Sequence, residues 1–245
     1  MVFTQFPKYY AIFSDFENIV QTKYPHEYAS FQKYSGDLIL KVRCLEIICL
    51  RYEEDKKNHE RIMDRMRRII ENVESFSQKE LQDESATLGD LTIKHMSQLI
   101  VDVESFYIYA RIMLDRLPYL LRPFLKGIVS NQNIAIRDFH KFLNWFANNS
   151  GEILDDSFKS EILSFRKWFL EHIRDPRNEL IVHPGWDIVQ QAILPDGTLQ
   201  MRRLHENEDR MWLEIESIEL PDIQNLMERI INFLEFINLF FSRNL

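Results

Sequence analysis

Apolar residues recur at three- and four-residue steps over most of this chain, the period of a helix that buries one stripe. Tyr9, Ile12, Phe13, Phe16, Ile19 and Val20 form the first stripe, and Pro25 stops it. Leu38, Val42, Leu45, Cys49 and Tyr52 repeat the pattern. This second run is apolar enough for a strand, but its length without a turn signal favours a helix. Ile62, Met63, Met66, Ile69, Ile70, Val73 and Phe76 make a third stripe, and the opposite face carries Arg61, Asp64, Arg65, Arg67 and Arg68 as a solvated surface. Ser77 to Gly89 is polar and aperiodic. A boundary is expected there, separating an N-terminal helical layer, 1–83, from a second domain, 84–245.

From about Asp90 a long helix is expected through Ile100, Val103, Phe106, Tyr107, Ala110, Met113, Leu114 and Leu117, interrupted at Pro118. Another apolar face runs from Ile134 to Phe146. The next helix spans about Asp156 to Ile173, kinks or restarts at Pro176 and ends at His183. Beyond it the period changes to two. Trp186 to Leu194, Leu199 to Leu204 and Met211 to Ile218 read as short strands, with Pro195-Asp196-Gly197-Thr198 as the hairpin turn. Leu220-Pro221-Asp222 then opens a terminal helix that places Ile223, Leu226, Met227, Ile230, Ile231, Leu234, Ile237 and Phe241 on one face. The pattern predicts a mainly all-α fold of at least six helices, with a small antiparallel hairpin at about 186–218 before the last one.

With 245 residues and a formal charge of −8, the chain buries a core without staples but does not suit broad, sequence-blind nucleic-acid binding, which needs many cations against phosphates. Any RNA contact must be local. The richest basic set is Lys159, Arg166, Lys167, Arg174 and Arg177, with Arg202 and Arg203 downstream, and a solvated helix face is the competing account of it. Cys44 and Cys49 are about 140° apart around a helix, so they form neither a clip nor a metal pair. No apolar window approaches the roughly 18 residues of a membrane span, so a cytoplasmic protein with no membrane partner is expected. The histidines show no metal-ligand spacing, and P-loop and dinucleotide fingerprints are missing, so neither metal nor cofactor is expected.

One stretch carries chemistry: Arg177-Asn178-Glu179-Leu180-Ile181-Val182-His183, closed by Pro184-Gly185. Arginine is a permanent planar cation for phosphate, and histidine trades protons near neutrality. Together they suffice to break an RNA phosphodiester, since the 2′-hydroxyl supplies its own nucleophile. Arg166 and His172 share the same offset, but Lys167-Trp168-Phe169-Leu170 between them reads as the middle of an amphipathic helix. Around Arg177 the context differs: Asp175 suits an N-cap and Pro176 the first helical position. Arg174 would widen the phosphate-binding face or pair with Glu171, and Arg111 and Asp115 would point at the site or at each other. Arg177 could equally brace a helix end against Asp175 or Glu179, with His183 capping the last carbonyls. A straight α-helix separates Arg177 from His183 by about 9 Å of rise and some 120° of rotation, too far for one phosphate unless the last turn distorts or a two-fold dimer pairs two half-sites.

The stretch from Ile173 through Arg177-Asn178 to His183 resembles the HEPN superfamily, the higher eukaryotes and prokaryotes nucleotide-binding domains. Its signature is an Arg, a polar residue that is often Asn, a few mostly apolar residues and a His near the end of the third helix of a bundle. The resemblance covers about Asp90 to Leu245 and implies a HEPN-like four-helix domain. It also implies Arg177, Asn178 and His183 as catalytic residues and a homodimer; Arg174, one turn from Asn178, is the RNA contact expected from its position. The activity it implies is a metal-independent endoribonuclease in a defence or toxin setting, with RNA or a nucleotide and an antitoxin as partners. A catalytically silent module that binds a nucleotide or a protein, and a purely structural helical protein, stand beside it as alternatives.

Overall fold

The computed structural model describes residues 6–128, 138–149, 156–182, 188–194, 197–206 and 213–244. Among them α1 (Phe6–Lys23), α2 (Tyr28–Glu71), α3 (Gln78–Ile128), α4 (Phe139–Asn149) and α5 (Asp156–Phe169) precede β1 (Ile188–Ile193), β2 (Leu199–Glu206) and β3 (Leu213–Glu219), and α6 (Ile223–Asn244) closes the order. The fold is mainly α with a small antiparallel sheet before the last helix, as the periodicity predicts.

Three local expectations are corrected. The second stripe and the third as far as Ile70 belong to one helix, α2, of 44 residues, while Val73 and Phe76 lie beyond its end. The polar stretch from Ser77 to Gly89 caps α3 and forms its first turns, and is not a linker. Ser77 Oγ accepts from the Glu80 amide, while the Glu80 carboxylate accepts from the Ser77 amide and hydroxyl. This reciprocal capping box satisfies helix-end donors that otherwise have no partner. Position 83 therefore lies inside a helix, and the compact units divide elsewhere. The third correction concerns Pro118, which does not interrupt α3; it and Pro123 lie inside it. A proline inside a helix costs about 3 kcal/mol through a lost hydrogen bond and a ring clash. Leu114, Leu117, Leu120, Leu121, Phe124 and Leu125 are all fully buried around the two prolines. Each such side chain contributes about 1.5–3 kcal/mol, so burial outweighs both defects.

The chain forms two compact units. The first comprises Met1–Ile47, Tyr107–Arg177 and Gln224–Leu245, the second Ile48–Phe106 and Asn178–Ile223. The first is organised by aromatic rings. Phe124 lies 5.2 Å from Phe16, 6.2 Å from Phe31 and 5.0 Å from Phe241, while Phe165 stacks on Phe233 at 3.6 Å. Tyr9 donates to Glu46 at 2.8 Å, which keeps a buried carboxylate satisfied.

In the second unit β2 is central, antiparallel to both neighbours, so the expected hairpin is a three-stranded meander. Gln190 faces Arg202, Met201 faces Ile218, and a bulge separates Ile188 from Gln190. Gly197 closes the first turn by donating to the Leu194 carbonyl at 2.8 Å, with φ +82°. A Cβ there would meet Lys56 Cγ at 2.5 Å. Lys56 in turn pairs with Asp222 at 3.0 Å.

The same unit holds an array of ionisable groups, of which Asp55, His59 and Asp102 are buried and Arg51 is exposed. Asp55 contacts His95 Nδ1 at 2.9 Å, Arg51 pairs with Asp102, and His59 is 1% exposed. Neither His59 ring nitrogen makes a well-formed hydrogen bond. Burial holds its pKa below the usual 6.5; the Leu194 backbone opposes this, nearby His95 adds to it, and Glu60 opposes it. A histidine whose folded pKa is depressed binds fewer protons folded than unfolded, so stability rises with pH through that window. The melting temperature should fall as pH drops from about 7 toward 5. His59→Leu should flatten that slope in scanning calorimetry; parallel profiles for the two proteins would refute the assignment.

Candidate functional site

Phe158, Ile162, Phe165 and Phe169 bury one face of α5. The helix does not stop at Phe169. It widens into a π-helix over Leu170–Arg174, returns to α geometry at 175–176, and is π again over Arg177–Val182. Pro176 supplies a physical reason. It has no N–H to give to a carbonyl four residues back, and its ring would strike that carbonyl in an α-turn. An extra residue in the turn shifts bonding to i→i+5 and makes room. The expected restart at Pro176 is thus a continuous, widened helix. Asp175 has helical φ −70° and ψ −46°, so it is no N-cap.

Ile173 is fully buried and anchors this segment. Arg174, Arg177 and Asn178 are half-buried. Arg174 Nη1 lies 3.8 Å from Asp175 Oδ1, while Glu171 pairs with Lys167 at 3.8 Å. Loose, exposed pairs of this kind contribute little and leave Arg174 able to turn to another anion. The division between the compact units falls between Arg177 and Asn178. His183, with Pro184 and Gly185, lies outside the described residues.

The offset-matched pair behaves as helix-embedded chemistry. His172 Nδ1 contacts the Trp168 carbonyl at 3.1 Å and its ring stacks on Trp168 at 5.8 Å. Arg166 is half-buried, with Nε enclosed and without a hydrogen-bond partner, so it is not the solvated face residue that spacing suggests.

A polar cluster that the sequence reading under-weighted supports the start of the π-segment. Arg111 bonds Asp115 at 2.8 Å, as expected from their spacing, and lies 3.6 Å from Asp138. Its guanidinium sits 5.0 Å from the Phe169 ring centre. Asp115 accepts from the Phe139 amide at 3.2 Å, and Asp138 caps α4 through the His140 amide at 3.2 Å. Burial pushes the Asp115 carboxyl above the usual carboxylate range, while Arg111 pulls it back. The pair is thus a half-buried brace between α3 and α4. Asp138 immediately before an apolar run was the legible signal for it.

Among the described residues no group of three or more His, Cys, Asp or Glu side chains is placed to hold a metal ion, and no helix is long and apolar enough to cross a membrane. No protein-family model, curated protein or solved structure matches this chain.

If Pro176 is what widens the helix, Pro176→Ala should restore regular α bonding and stabilise the protein by up to about 3 kcal/mol. Urea denaturation with amide hydrogen exchange of residues 174–182 reads both. Unchanged stability and exchange would mean that packing, not proline, imposes the π geometry.

Proposed function

We propose that this chain is a metal-independent endoribonuclease of HEPN type. Arg177 binds a non-bridging oxygen of the scissile phosphate and stabilises the charge that grows in the transition state. His183 moves the proton, and Asn178 donates to the phosphate or orients His183. The RNA 2′-oxygen loses its proton and bonds to phosphorus, the bond to the 5′-oxygen breaks, and that oxygen takes up a proton. A 2′,3′-cyclic phosphate and a 5′-hydroxyl result. No water is consumed.

The observation that carries this reading is the π-helix over Arg177–Val182. In a straight α-helix the motif's two ends are about 9 Å apart along the axis. A π-turn holds more residues per turn and so rises less for each, which shortens that reach. Such segments are frequent at functional sites because they give up regular helical bonding. A homodimer that sets the end of this helix against its copy supplies the rest of the approach. A toxin or defence setting, with an antitoxin as partner, follows from the resemblance. Half-burial of Arg177 and Asn178 favours one competing reading, a catalytically silent module that holds a nucleotide or protein.

Arg177→Ala and His183→Ala should each abolish cleavage of labelled structured RNA in excess chelator. The proton-transfer residue alone is expected to cost about 10² to 10⁴-fold. The double variant should be about as inactive as the worse single one, because groups acting on one phosphate behave as a unit. Arg166→Ala and His172→Ala, checked for folding, should retain activity. RNA binding without cleavage in the unmodified protein would establish the silent module instead.

Light scattering should also give a dimer at micromolar concentration. A monomer that cleaves RNA at the full rate would remove the two-fold site from the mechanism.

A further inference from the structure

Phosphodiester cleavage through the 2′-hydroxyl moves two protons, one off the 2′-oxygen and one onto the 5′-oxygen, while the Arg177 to His183 motif holds a single histidine. A second imidazole is built into the first compact unit, at the start of α4. Asp138 Oδ1 accepts from the His140 amide at 3.2 Å, which is all that capping the helix requires. The same oxygen also contacts His140 Nδ1. A carboxylate oxygen can only accept, so Nδ1 carries the ring proton and the lone pair lies on Nε2. Among the described residues Nε2 has no hydrogen-bond partner, and it is not enclosed, the side chain keeping 15% of its surface exposed. Arg111, bonded to Asp115 at 2.8 Å, lies 3.6 Å from Asp138 Oδ1 and braces the carboxylate. An imidazole with one nitrogen fixed on a carboxylate and the other open is suited to take a proton.

The packing of α4 on α5 puts this pair beside the cations. Phe139, between Asp138 and His140, lies 5.0 Å from Phe169 and 6.2 Å from Phe165, whereas Phe146 lies 5.8 Å from Phe158. The two helices are therefore antiparallel, and the first turn of α4 stands against the last turn of α5. Arg174 follows Phe169 by five residues, at most about 7.5 Å of helical rise. Its side chain is 35% exposed and only loosely paired with Asp175. A cation that can hold a phosphate and a ring that can take a proton thus lie at one end of one helix pair.

We propose that His140 is a catalytic base of this chain, taking the proton of the RNA 2′-hydroxyl on Nε2, with Asp138 as its positioning residue. The 2′-oxygen bonds to phosphorus, the bond from phosphorus to the 5′-oxygen breaks, and His183 delivers a proton to that oxygen. His140 then releases its proton to water, and His183 takes one up. The inference rests on the nuclease reading and divides between two rings what one histidine would otherwise do in turn.

The test compares steady-state cleavage, by the full chain in excess chelator, of an RNA dinucleotide and of a ribonucleoside 3′-(p-nitrophenyl phosphate), whose leaving group departs without a proton. His140→Gln should lower kcat about 10²-fold or more on both substrates, with KM and melting temperature nearly unchanged. His183→Ala should fail on the dinucleotide and be largely restored on the p-nitrophenyl ester. Asp138→Asn, the deciding variant should His140→Gln melt early, retains a capping oxygen. Its amide would meet Nδ1 as a donor and drive the ring proton to Nε2, so kcat should fall while α4 stays folded. Full kcat in His140→Gln, or its rescue by the p-nitrophenyl ester, would overturn the assignment and leave the nuclease reading standing. No cleavage of either substrate by the unmodified protein would overturn that reading and this inference with it.

Discussion

Burial of aromatic and branched side chains around a proline-bearing helix is the constraint on which the first compact unit rests. The ring contacts of Phe124 to Phe16, Phe31 and Phe241, with the buried leucines beside them, hold α3 helical through Pro118 and Pro123. Local propensity argues for a break at each, and tertiary packing overrides it. The same logic recurs at Pro176, with the opposite outcome. Residues 174–178 around that proline are only half-buried, and the backbone there is widened.

The brace built on Arg111 connects these two behaviours. It ties α3 to the first turn of α4 through Asp115 and Asp138, and its guanidinium lies against Phe169. Phe169 is the last residue of α5 before the π geometry begins. Regular helix is thus pinned on one side of the transition by a half-buried ionic and aromatic contact. The distortion is confined to the residues that follow, which include the arginine and asparagine proposed to meet phosphate.

Element type was legible wherever a stripe ran long. The first helix, the terminal helix after Leu220-Pro221-Asp222 and the strand periodicity after residue 186 could all be read from spacing alone. What could not be read had specific causes. The capping box at Ser77 and Glu80 was hidden because polar residues look alike whether they cap a helix or form a linker. Pro118 misled because its cost is local while the burial that offsets it is not. The motif at Arg177 and Asn178 was visible as residues, but the wide helix carrying them was not, since no periodicity distinguishes a π-turn of a few residues. Arg51 and Asp102 were silent for a different reason. They lie on two helices and become a set only when those helices pair.

Gly197 has a consequence for how kin of this chain can be recognised. Its positive φ already disfavours any side chain, and the Lys56 stem fills the space where one would begin. Two independent penalties at one position freeze it. The lysine is held in turn by Asp222, just before the final helix. A glycine in the first turn of the meander, a lysine far upstream and an aspartate just downstream therefore form a long-range fingerprint, one that drifting sequences sharing this architecture would retain after overall similarity has faded.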